Sequence, residues 1–350
     1  MQWQGFLGHE QQRAWFATAL GRGRLATTFL FVGPAGIGKR TFARLLAKSL
    51  LCRKSSGREL NFCGRCEDCV QVDASTHPDL IQIGKPADRA AIPIEMLIGQ
   101  REARMRSGLC HEIHLRPYSG RRKIAIIDDA DTLGQEGANS LLKTLEEPPL
   151  NSILILISTR LQRQLPTIRS RCQVVRFQPL AEEQLATLIL SNELVDTIEF
   201  ARQIASHAEG SIEQARLLAD TELAEFRANL LQQLAAGKID IVRLASGLIG
   251  IADAAGKEAA ARRDRLRLVL SMAAEFFQAL TLSIEGAQTA GDPLLRSAVA
   301  TANEHWRPGV EGAISCWRRC LEGIEQIERN ANQTALVEAW SASMSALSKQ

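Results

Sequence analysis

The fold of this chain is decided by residues 28–41, which read TFLFVGPAGIGKRT. The first five residues predict a buried strand, and the pattern after the lysine is that of a helix. A glycine-rich turn between a strand and a helix is the frame of a phosphate-binding loop, because its backbone N–H groups can turn inward around a phosphate. Lys39 would reach the β- and γ-phosphates of a nucleotide. The glycines that would surround the phosphate are Gly33, Gly36 and Gly38.

Four more short apolar runs follow and alternate with helical patterns. They are Leu80–Ile83, Ile124–Ile127, Ile153–Ser158 and Val174–Phe177. This alternation predicts a parallel sheet covered by helices, with strands that are buried on both faces. After Pro179 the strand-like runs end and helix-forming residues dominate. We therefore expect an α/β nucleotide-binding core at residues 1–179, followed by two all-α domains, a small one at 180–221 and a larger one at 222–350.

The composition excludes several classes of protein. Of the 350 residues, 45% are hydrophobic and 23% charged, as in soluble globular proteins and unlike disordered or fibrous ones. We expect a cytoplasmic protein without membrane contact, because no apolar run approaches the ~20 residues that span a bilayer and no signal-peptide pattern is present. The net charge is only +3, so contact with nucleic acid would need a local basic patch. Whether residues 121–123, which read RRK, provide one is left open.

Two positions near the loop depart from the pattern of an active nucleotide site. The residue after the loop lysine is normally Ser or Thr, whose hydroxyl holds Mg²⁺, but here it is Arg40. Thr41 follows about 100° further around the helix and cannot simply replace that hydroxyl. Asp128 ends a strand and would take the magnesium or its water, whereas Asp129 stands where a longer glutamate usually polarises the attacking water. We expect a phosphate cradle with a compromised metal position.

Four of the eight cysteines lie close together in the sequence and suggest a metal site. They are Cys52, Cys63, Cys66 and Cys69, separated by ten, two and two residues. Four thiolates complete a tetrahedral zinc site with no open position, so the module at residues 52–69 would be structural. A redox or iron–sulfur site and a group of unpaired buried cysteines are the competing interpretations. Disulfides are disfavoured because a chain of this length can bury a core and shows no secretion signal.

Several motifs, taken in their order along the chain, resemble the clamp-loader subunits of bacterial DNA polymerase III, which are AAA+ proteins. The motifs are the Arg40 loop, the four cysteines, Ile127-Asp128-Asp129-Ala130, Leu141-Leu142-Lys143-Thr144-Leu145-Glu146-Glu147-Pro148-Pro149 and Ser170-Arg171-Cys172. The resemblance implies an AAA+ core, a small helical lid and a helical collar. It also implies a place in a ring of subunits that loads the sliding clamp onto primed DNA. The implied partners are other clamp-loader subunits, the sliding clamp and primer–template DNA.

The same resemblance implies roles for residues outside the phosphate loop. Arg171 would reach into the ATP site of the neighbouring subunit, where a guanidinium can stabilise the charge on a transferring γ-phosphoryl group. Thr159, with Ser158 as the rival, would sense the γ-phosphate. Glu213 stands where hydrolysing members of the family carry an arginine in the lid, and its charge is wrong for a triphosphate.

Two functions remain as hypotheses at this point. In the first, the chain is a scaffold with a degenerate ATP site that supplies Arg171 to its neighbour. ATP and Mg²⁺ could then bind without turnover, and whether the chain is itself an enzyme stays open. In the second, the chain is an active ATPase subunit of the same complex. That role would need the three groups that Arg40, Asp129 and Glu213 replace. A zinc-dependent DNA-binding protein without assembly partners would leave Ser170-Arg171-Cys172 unexplained.

Overall fold

The computed structural model describes residues 3, 5–86, 89, 91–236, 239–287 and 293–348. The chain separates into two compact units, Met1–Ala215 and Arg216–Gln350. The finer division into three domains at 1–179, 180–221 and 222–350 stays a prediction. Each unit has a hydrophobic core of its own and is described by itself.

A five-stranded parallel sheet forms the centre of the first unit. Its strands are β1 Thr28–Val32, β2 Leu80–Ile83, β3 Lys123–Ile127, β4 Ser152–Ser158 and β5 Gln173–Arg176. They lie in the order β2-β3-β4-β1-β5, which confirms the predicted α/β fold. The register places Val32 beside Ser158 and Ile127 beside Leu156. The carboxyl ends of β1, β3 and β4 therefore meet at one edge of the sheet, where ligands of such folds usually bind.

Helices connect the strands of the first unit and continue beyond β5. They are α1 Glu10–Gly21, α2 Lys39–Leu51, α3 Glu67–Asp73, α4 Ile94–Ile98, α5 Leu109–Glu112, α6 Gln135–Glu146, α7 Pro166–Arg169, α8 Glu182–Ser191 and α9 Ile198–His207. A further helix, α10 Ile212–Leu218, begins in the first unit and ends in the second. Short 3₁₀ turns occupy Arg101–Ala103, Ala130–Thr132 and Leu161–Arg163.

The alternating side chains of β1 build the cores on the two faces of the sheet. Phe29 and Phe31 belong to one buried cluster, whereas Leu30 and Val32 belong to the other. This split follows from the two-residue period of a strand. Phe42 of α2 packs edge-on against Phe31, with ring centroids 5.8 Å apart. Burial of large aromatic side chains on this face fixes the start of α2, and with it the phosphate loop, against the sheet.

The second unit consists of helices. They are α11 Thr221–Ala235, α12 Ile241–Ala254, α13 Ala259–Ile284, α14 Pro293–His305, α15 Gly309–Glu328 and α16 Gln333–Leu347. By length and composition alone α13 could cross a membrane, but 56% of its most apolar window is buried inside the protein. Its buried apolar side chains between Leu266 and Leu280 share one core with apolar residues of the other helices of this unit. We therefore interpret α13 as the central helix of a helical core.

Candidate functional site

The glycine-rich turn lies between β1 and α2 and has a backbone that favours glycine. Gly36 and Gly38 have φ values of 71° and 98°, in the left-handed region that other residues rarely adopt. Lys39 begins α2 and is buried. Its Nζ donates to the carbonyl oxygens of Gly33, at 2.6 Å, and Pro34, at 2.5 Å. The ammonium group is therefore bound to the loop itself.

The electrostatic surroundings of Lys39 are acidic. Burial lowers the pKa of its ammonium group, and the carboxylates of Asp128, Asp131 and Asp129 act in the opposite direction. A buried cation stays charged most easily when anions lie near it, so this arrangement favours a positive centre at the loop. The predicted loop residues and the acids after β3 are thus brought together at one edge of the sheet.

Arg40 pairs with the acid at the end of β3. Its Nε lies 3.4 Å from Oδ2 of Asp128, and 65% of the Arg40 side chain and 21% of the Asp128 side chain are exposed. The guanidinium therefore meets the carboxylate that would hold Mg²⁺ or its water in an active nucleotide site. Thr41 follows on α2 and is exposed.

Asp129 adopts a conformation that is uncommon for a residue with a side chain. Its φ is 51°, in the left-handed region, and its N–H donates to Oδ1 of Asp128 at 3.0 Å. Burial raises the pKa of Asp129, and the neighbouring Asp128 carboxylate raises it further. The carboxylate that would polarise an attacking water is thus crowded by a second acid.

A third acid, Asp131, organises the polar residues at the end of β4. Its carboxylate accepts hydrogen bonds from the hydroxyls of Ser158 and Thr159, from the Thr159 N–H and from Nε2 of Gln164. Burial acts to raise the pKa of Asp131, but these hydrogen bonds outweigh it and the pKa is lowered. Thr159 and its rival Ser158 therefore share one acceptor.

The start of α10 lies directly over the phosphate loop. The N–H of Ile212 donates to the carbonyl oxygen of Gly36 at 3.1 Å. A Cβ built on Gly36 would lie 2.0 Å from Oγ of Ser211 and 2.7 Å from Cβ of Glu213. This close approach is a second reason for glycine at position 36. It also places the negative charge of Glu213 beside the loop, where it would oppose a triphosphate.

Arg171 lies just after α7 and contacts the end of α6. Its Nε donates to Oε1 of Glu146 at 2.7 Å, and its Nη2 donates to the same oxygen. Its Nη1 donates to the carbonyl oxygen of Thr167 at 3.0 Å and to Oγ of Ser170 at 3.2 Å. The hydroxyl of Thr28 on β1 donates to the Arg171 carbonyl oxygen at 2.7 Å, which ties this segment to the sheet.

The four cysteines form one cluster, with Cys52 just after α2, Cys63 and Cys66 before α3 and Cys69 in the first turn of α3. Their Sγ atoms all lie within 4.8 Å of one another. The Sγ–Sγ distance is 3.8 Å for Cys52 and Cys66 and 4.0 Å for Cys63 and Cys69. A tetrahedron with metal–sulfur bonds of ~2.3 Å has edges of about 3.8 Å. Hydrogen bonding from the backbone of Arg65 lowers the pKa of Cys63 to about 6, whereas burial raises the pKa of the Cys69 thiol.

Known proteins related in sequence to this chain match mainly its first unit. Residues 8–181 match the family model described as "DNA polymerase III, delta subunit". Residues 8–181 belong to the bacterial clamp-loader family of AAA+ proteins. Among curated clamp-loader proteins, the delta' subunit of Bacillus subtilis is 34% identical over 209 residues and that of Pseudomonas aeruginosa 32% over 222. The gamma subunit of Buchnera aphidicola is 36% identical over 203 residues.

The alignments cover part of each clamp-loader protein. They include 60%, 63% and 57% of this chain and 59%, 64% and 52% of the Bacillus, Pseudomonas and Buchnera proteins, respectively. A DNA polymerase III gamma subunit-related protein of Thermotoga maritima is a similar solved structure, with a TM-score of 0.41 and 13% identity. It aligns with 95% of this chain and 99% of its own. The RuvB Holliday junction branch migration motor of the same organism has a TM-score of 0.41 and 14% identity, over 85% of this chain and 84% of its own.

The clamp-loader core also uses residues that sequence reasoning did not assign to the site. Nε2 of His9 donates to the carbonyl oxygen of Ile37 at 2.7 Å and supports the phosphate loop from the side of α1. Asp131, two residues after Asp129, accepts hydrogen bonds from Ser158 and Thr159. A third acid after the strand was a usable signal for Asp131. His9 offered none, because its contact joins distant parts of the chain.

Arg121 connects the cysteine cluster to the start of β3. Its Nη1 donates to the carbonyl oxygens of Cys52 and Ser55, each at 3.0 Å, and its Nη2 to that of Arg53 at 2.9 Å. These carbonyl groups follow the C-terminus of α2, where a cation is favourable. Lys123 is buried in β3. Arg121 and Lys123 thus have structural roles in the first unit.

Proposed function

We propose that this chain is a delta-prime-type subunit of the DNA polymerase III clamp loader, acting as a scaffold in DNA replication. Its own ATP site is degenerate, and it supplies Arg171 to the ATP site of a neighbouring subunit. Its partners would be the gamma or tau subunits, the delta subunit and the sliding clamp, with primer–template DNA bound through the whole complex. The protein would work in the cytoplasm without a membrane.

The ion pair between Arg40 and Asp128 is the observation that carries the proposal for the chain's own site. A guanidinium at this place supplies the positive charge that Mg²⁺ would otherwise bring to Asp128, but it cannot coordinate phosphate oxygens and water as a metal ion does. Glu213 adds a negative charge beside the loop. Both changes weaken the stabilisation of a transferring phosphoryl group, so hydrolysis in this site would be slow.

The residues that would hold a nucleotide are still present around the loop. They are Gly33, Gly36, Gly38, Lys39, Thr41, Asp128, Asp129 and Thr159. In the arrangement described, Lys39 is bound to the loop carbonyl groups and Thr159 to Asp131. A nucleotide would have to replace these contacts with its phosphate oxygens. We therefore propose that ATP is at most a bound ligand here and that the subunit does not turn it over.

Zinc is the metal we propose for the cysteine cluster. A set of four thiolates suits Zn²⁺, and it leaves no position for a substrate or water. Such an ion would hold the end of α2 to the start of α3 and would have a structural role. Cys52, Cys63, Cys66 and Cys69 would be its ligands.

The decisive experiment replaces Arg171 in a reconstituted clamp loader. We expect Arg171→Ala to lower DNA-stimulated ATP hydrolysis by the neighbouring subunits at least about tenfold, because it removes a charge-stabilising group from their transition state. Arg169→Ala is the matched control, since it removes the same charge from an exposed position two residues earlier. Equal hydrolysis and equal clamp loading by the Arg171→Ala and wild-type complexes would contradict the proposal.

An active ATPase subunit of the gamma or tau type is the second candidate. The loop glycines and Lys39 are intact, and gamma subunits are among the relatives of similar identity. ATP hydrolysis by the isolated chain, abolished by Lys39→Ala, would support this function over the scaffold. The same measurement on the isolated chain is expected to show negligible hydrolysis if the site is degenerate.

A further inference from the structure

The contact between Arg171 and Glu146 joins two separate motifs of the sequence. Glu146 is the last residue of α6, and Arg171 follows α7. Nε and Nη2 of the arginine both donate to Oε1 of this glutamate, with the Nε–Oε1 distance at 2.7 Å. About a third of the Arg171 side chain and about half of the Glu146 side chain are exposed, at 32% and 49%. The pair therefore lies at the surface and within reach of a partner.

The remaining donors of Arg171 are directed at its own loop. Nη1 bonds to the carbonyl oxygen of Thr167 and to Oγ of Ser170. Glu146 thus binds one edge of the guanidinium and the loop binds the opposite edge. An arginine without such contacts samples many rotamers, and ordering it costs free energy when a partner binds. Here the plane of the guanidinium is defined before any neighbour is present.

We propose that Glu146 is a positioning residue for Arg171. It holds the guanidinium in the orientation in which it meets the nucleotide of the neighbouring subunit, and this inference rests on the function proposed above. A partly exposed ion pair is weak enough to yield to a triphosphate, whose oxygens carry more charge and accept the same forked donors. Glu146 therefore orients Arg171 before the neighbouring subunit binds. When the nucleotide of that subunit approaches, its phosphate oxygens replace Glu146 as acceptors. Because the arginine is already ordered, less conformational entropy is lost when the site between the two subunits forms.

The test measures ATP hydrolysis by the reconstituted complex with substitutions at Glu146. We expect Glu146→Ala to lower kcat about three- to fivefold at unchanged KM for ATP, since pairs of this exposure contribute up to about that factor. Glu146→Gln keeps an oxygen acceptor in the same place and is expected to retain most of the rate. Glu147→Ala removes the same charge from the next, exposed residue and should match the wild type. In an Arg171→Ala background, Glu146→Ala should have no further effect.

The outcomes distinguish a failure of the positioning role of Glu146 from a failure of the proposed function. No effect of Arg171→Ala would overturn the proposed function and the positioning role together. A loss with Arg171→Ala but a wild-type rate with Glu146→Ala would overturn the positioning role alone. A higher rate with Glu146→Ala would show that the pair inhibits instead of orienting, which also contradicts the inference. A slower rate with Glu146→Ala in both the wild-type and the Arg171→Ala backgrounds, together with a lower melting temperature of the Glu146→Ala variant, would assign Glu146 to folding and contradict the inference.

Discussion

At the scale of single residues, Arg40 has the largest consequence for the chemistry of the site. Its side chain comes from the first turn of α2 and reaches the Asp128 carboxylate. Coordination by a metal ion and pairing with a guanidinium are alternative ways to satisfy that carboxylate. Only the metal ion also polarises a phosphoryl oxygen and orders water. Arg40 therefore separates a phosphate cradle from a complete metal site, while Asp129 and Glu213 are further departures from an ATPase.

Replacement of Arg40 by serine should restore part of the missing metal site. We expect Arg40→Ser to strengthen ATP binding about fivefold or more in the presence of Mg²⁺, because it frees Asp128 and supplies a hydroxyl ligand. Hydrolysis should remain negligible, since Asp129 and Glu213 are unchanged. Titration calorimetry with and without Mg²⁺ measures the effect. Arg40→Ala, which removes the guanidinium without adding a hydroxyl, is the control, and equal Mg²⁺-dependent binding by the two variants would contradict the explanation.

We expect His9 to make the stability of the phosphate-loop region depend on pH. Burial lowers the pKa of His9, although its hydrogen bond to Ile37 acts in the opposite direction. A histidine with a lowered pKa in the folded state binds protons more readily when unfolded, so protonation favours unfolding. The contribution of His9 is complete above the unfolded pKa of ~6.5 and is lost as the pH falls toward the folded pKa.

We expect the free energy of unfolding to fall between pH 7 and pH 5 and to fall less steeply in the His9→Gln variant. Glutamine keeps an N–H donor for the Ile37 carbonyl group but does not titrate. Urea unfolding at several pH values measures the slope. The exposed His305 of the second unit provides the control, since His305→Gln should leave the slope unchanged. A slope unaltered by His9→Gln would exclude His9 as the source.

At the scale of elements, α2 connects the two candidate sites of the first unit. Its first residue is Lys39, and the residue after its last is Cys52. A helix of these 13 residues is about 20 Å long. Trp3 donates from Nε1 to the hydroxyl of Ser49 near the cysteine end, and Phe42 packs on the sheet near the loop end. One rigid element thus relates the position of the phosphate loop to the cysteine cluster.

Metal removal should loosen the far end of α2. We expect the purified protein to contain about one zinc ion per chain, and chelation to lower the melting temperature of the first unit, because binding energy at such sites is folding energy. Cys63→Ser should lose the metal, whereas Cys316→Ser, outside the cluster, should retain it. Elemental analysis and thermal unfolding measure the two effects. Metal-free protein from a preparation without chelator would contradict the assignment.

At the scale of the whole molecule, local sequence patterns predicted much of the fold. The strand Thr28–Val32 is confirmed at the same residues. Five consecutive apolar or β-branched residues favour a buried strand, and the turn signals on either side define its ends. The last strand occupies Gln173–Arg176, one residue earlier than its apolar run indicated. Polar Gln173 belongs to the strand because its backbone pairs with that of Phe29. Backbone pairing does not depend on the side chain, so the apolar pattern of the sequence could not predict that Gln173 is part of the strand.

The side-chain pairs of the candidate site were harder to predict from the sequence than the strands and helices were. The glycines, Lys39 and the cysteines follow spacings that local geometry requires, so their grouping could be predicted. The pairing of Arg40 with Asp128 and that of Arg171 with Glu146 depend on side chains from separate elements. Charge alone does not say which of many acids an arginine will meet. The roles of the site residues therefore stay predictions that the experiments above test.

The Arg40–Asp128 pair has a further consequence for regulation. A metal ion occupies its site by mass action, so the occupancy depends on the free concentration of the ion and of its nucleotide. The guanidinium of Arg40 is part of the chain, so its presence near Asp128 does not depend on the concentration of any ligand. The acid at the end of β3 therefore keeps its counter-charge whether Mg²⁺ and ATP are abundant or scarce. This part of the protein would therefore keep one arrangement at every concentration of Mg²⁺ and nucleotide.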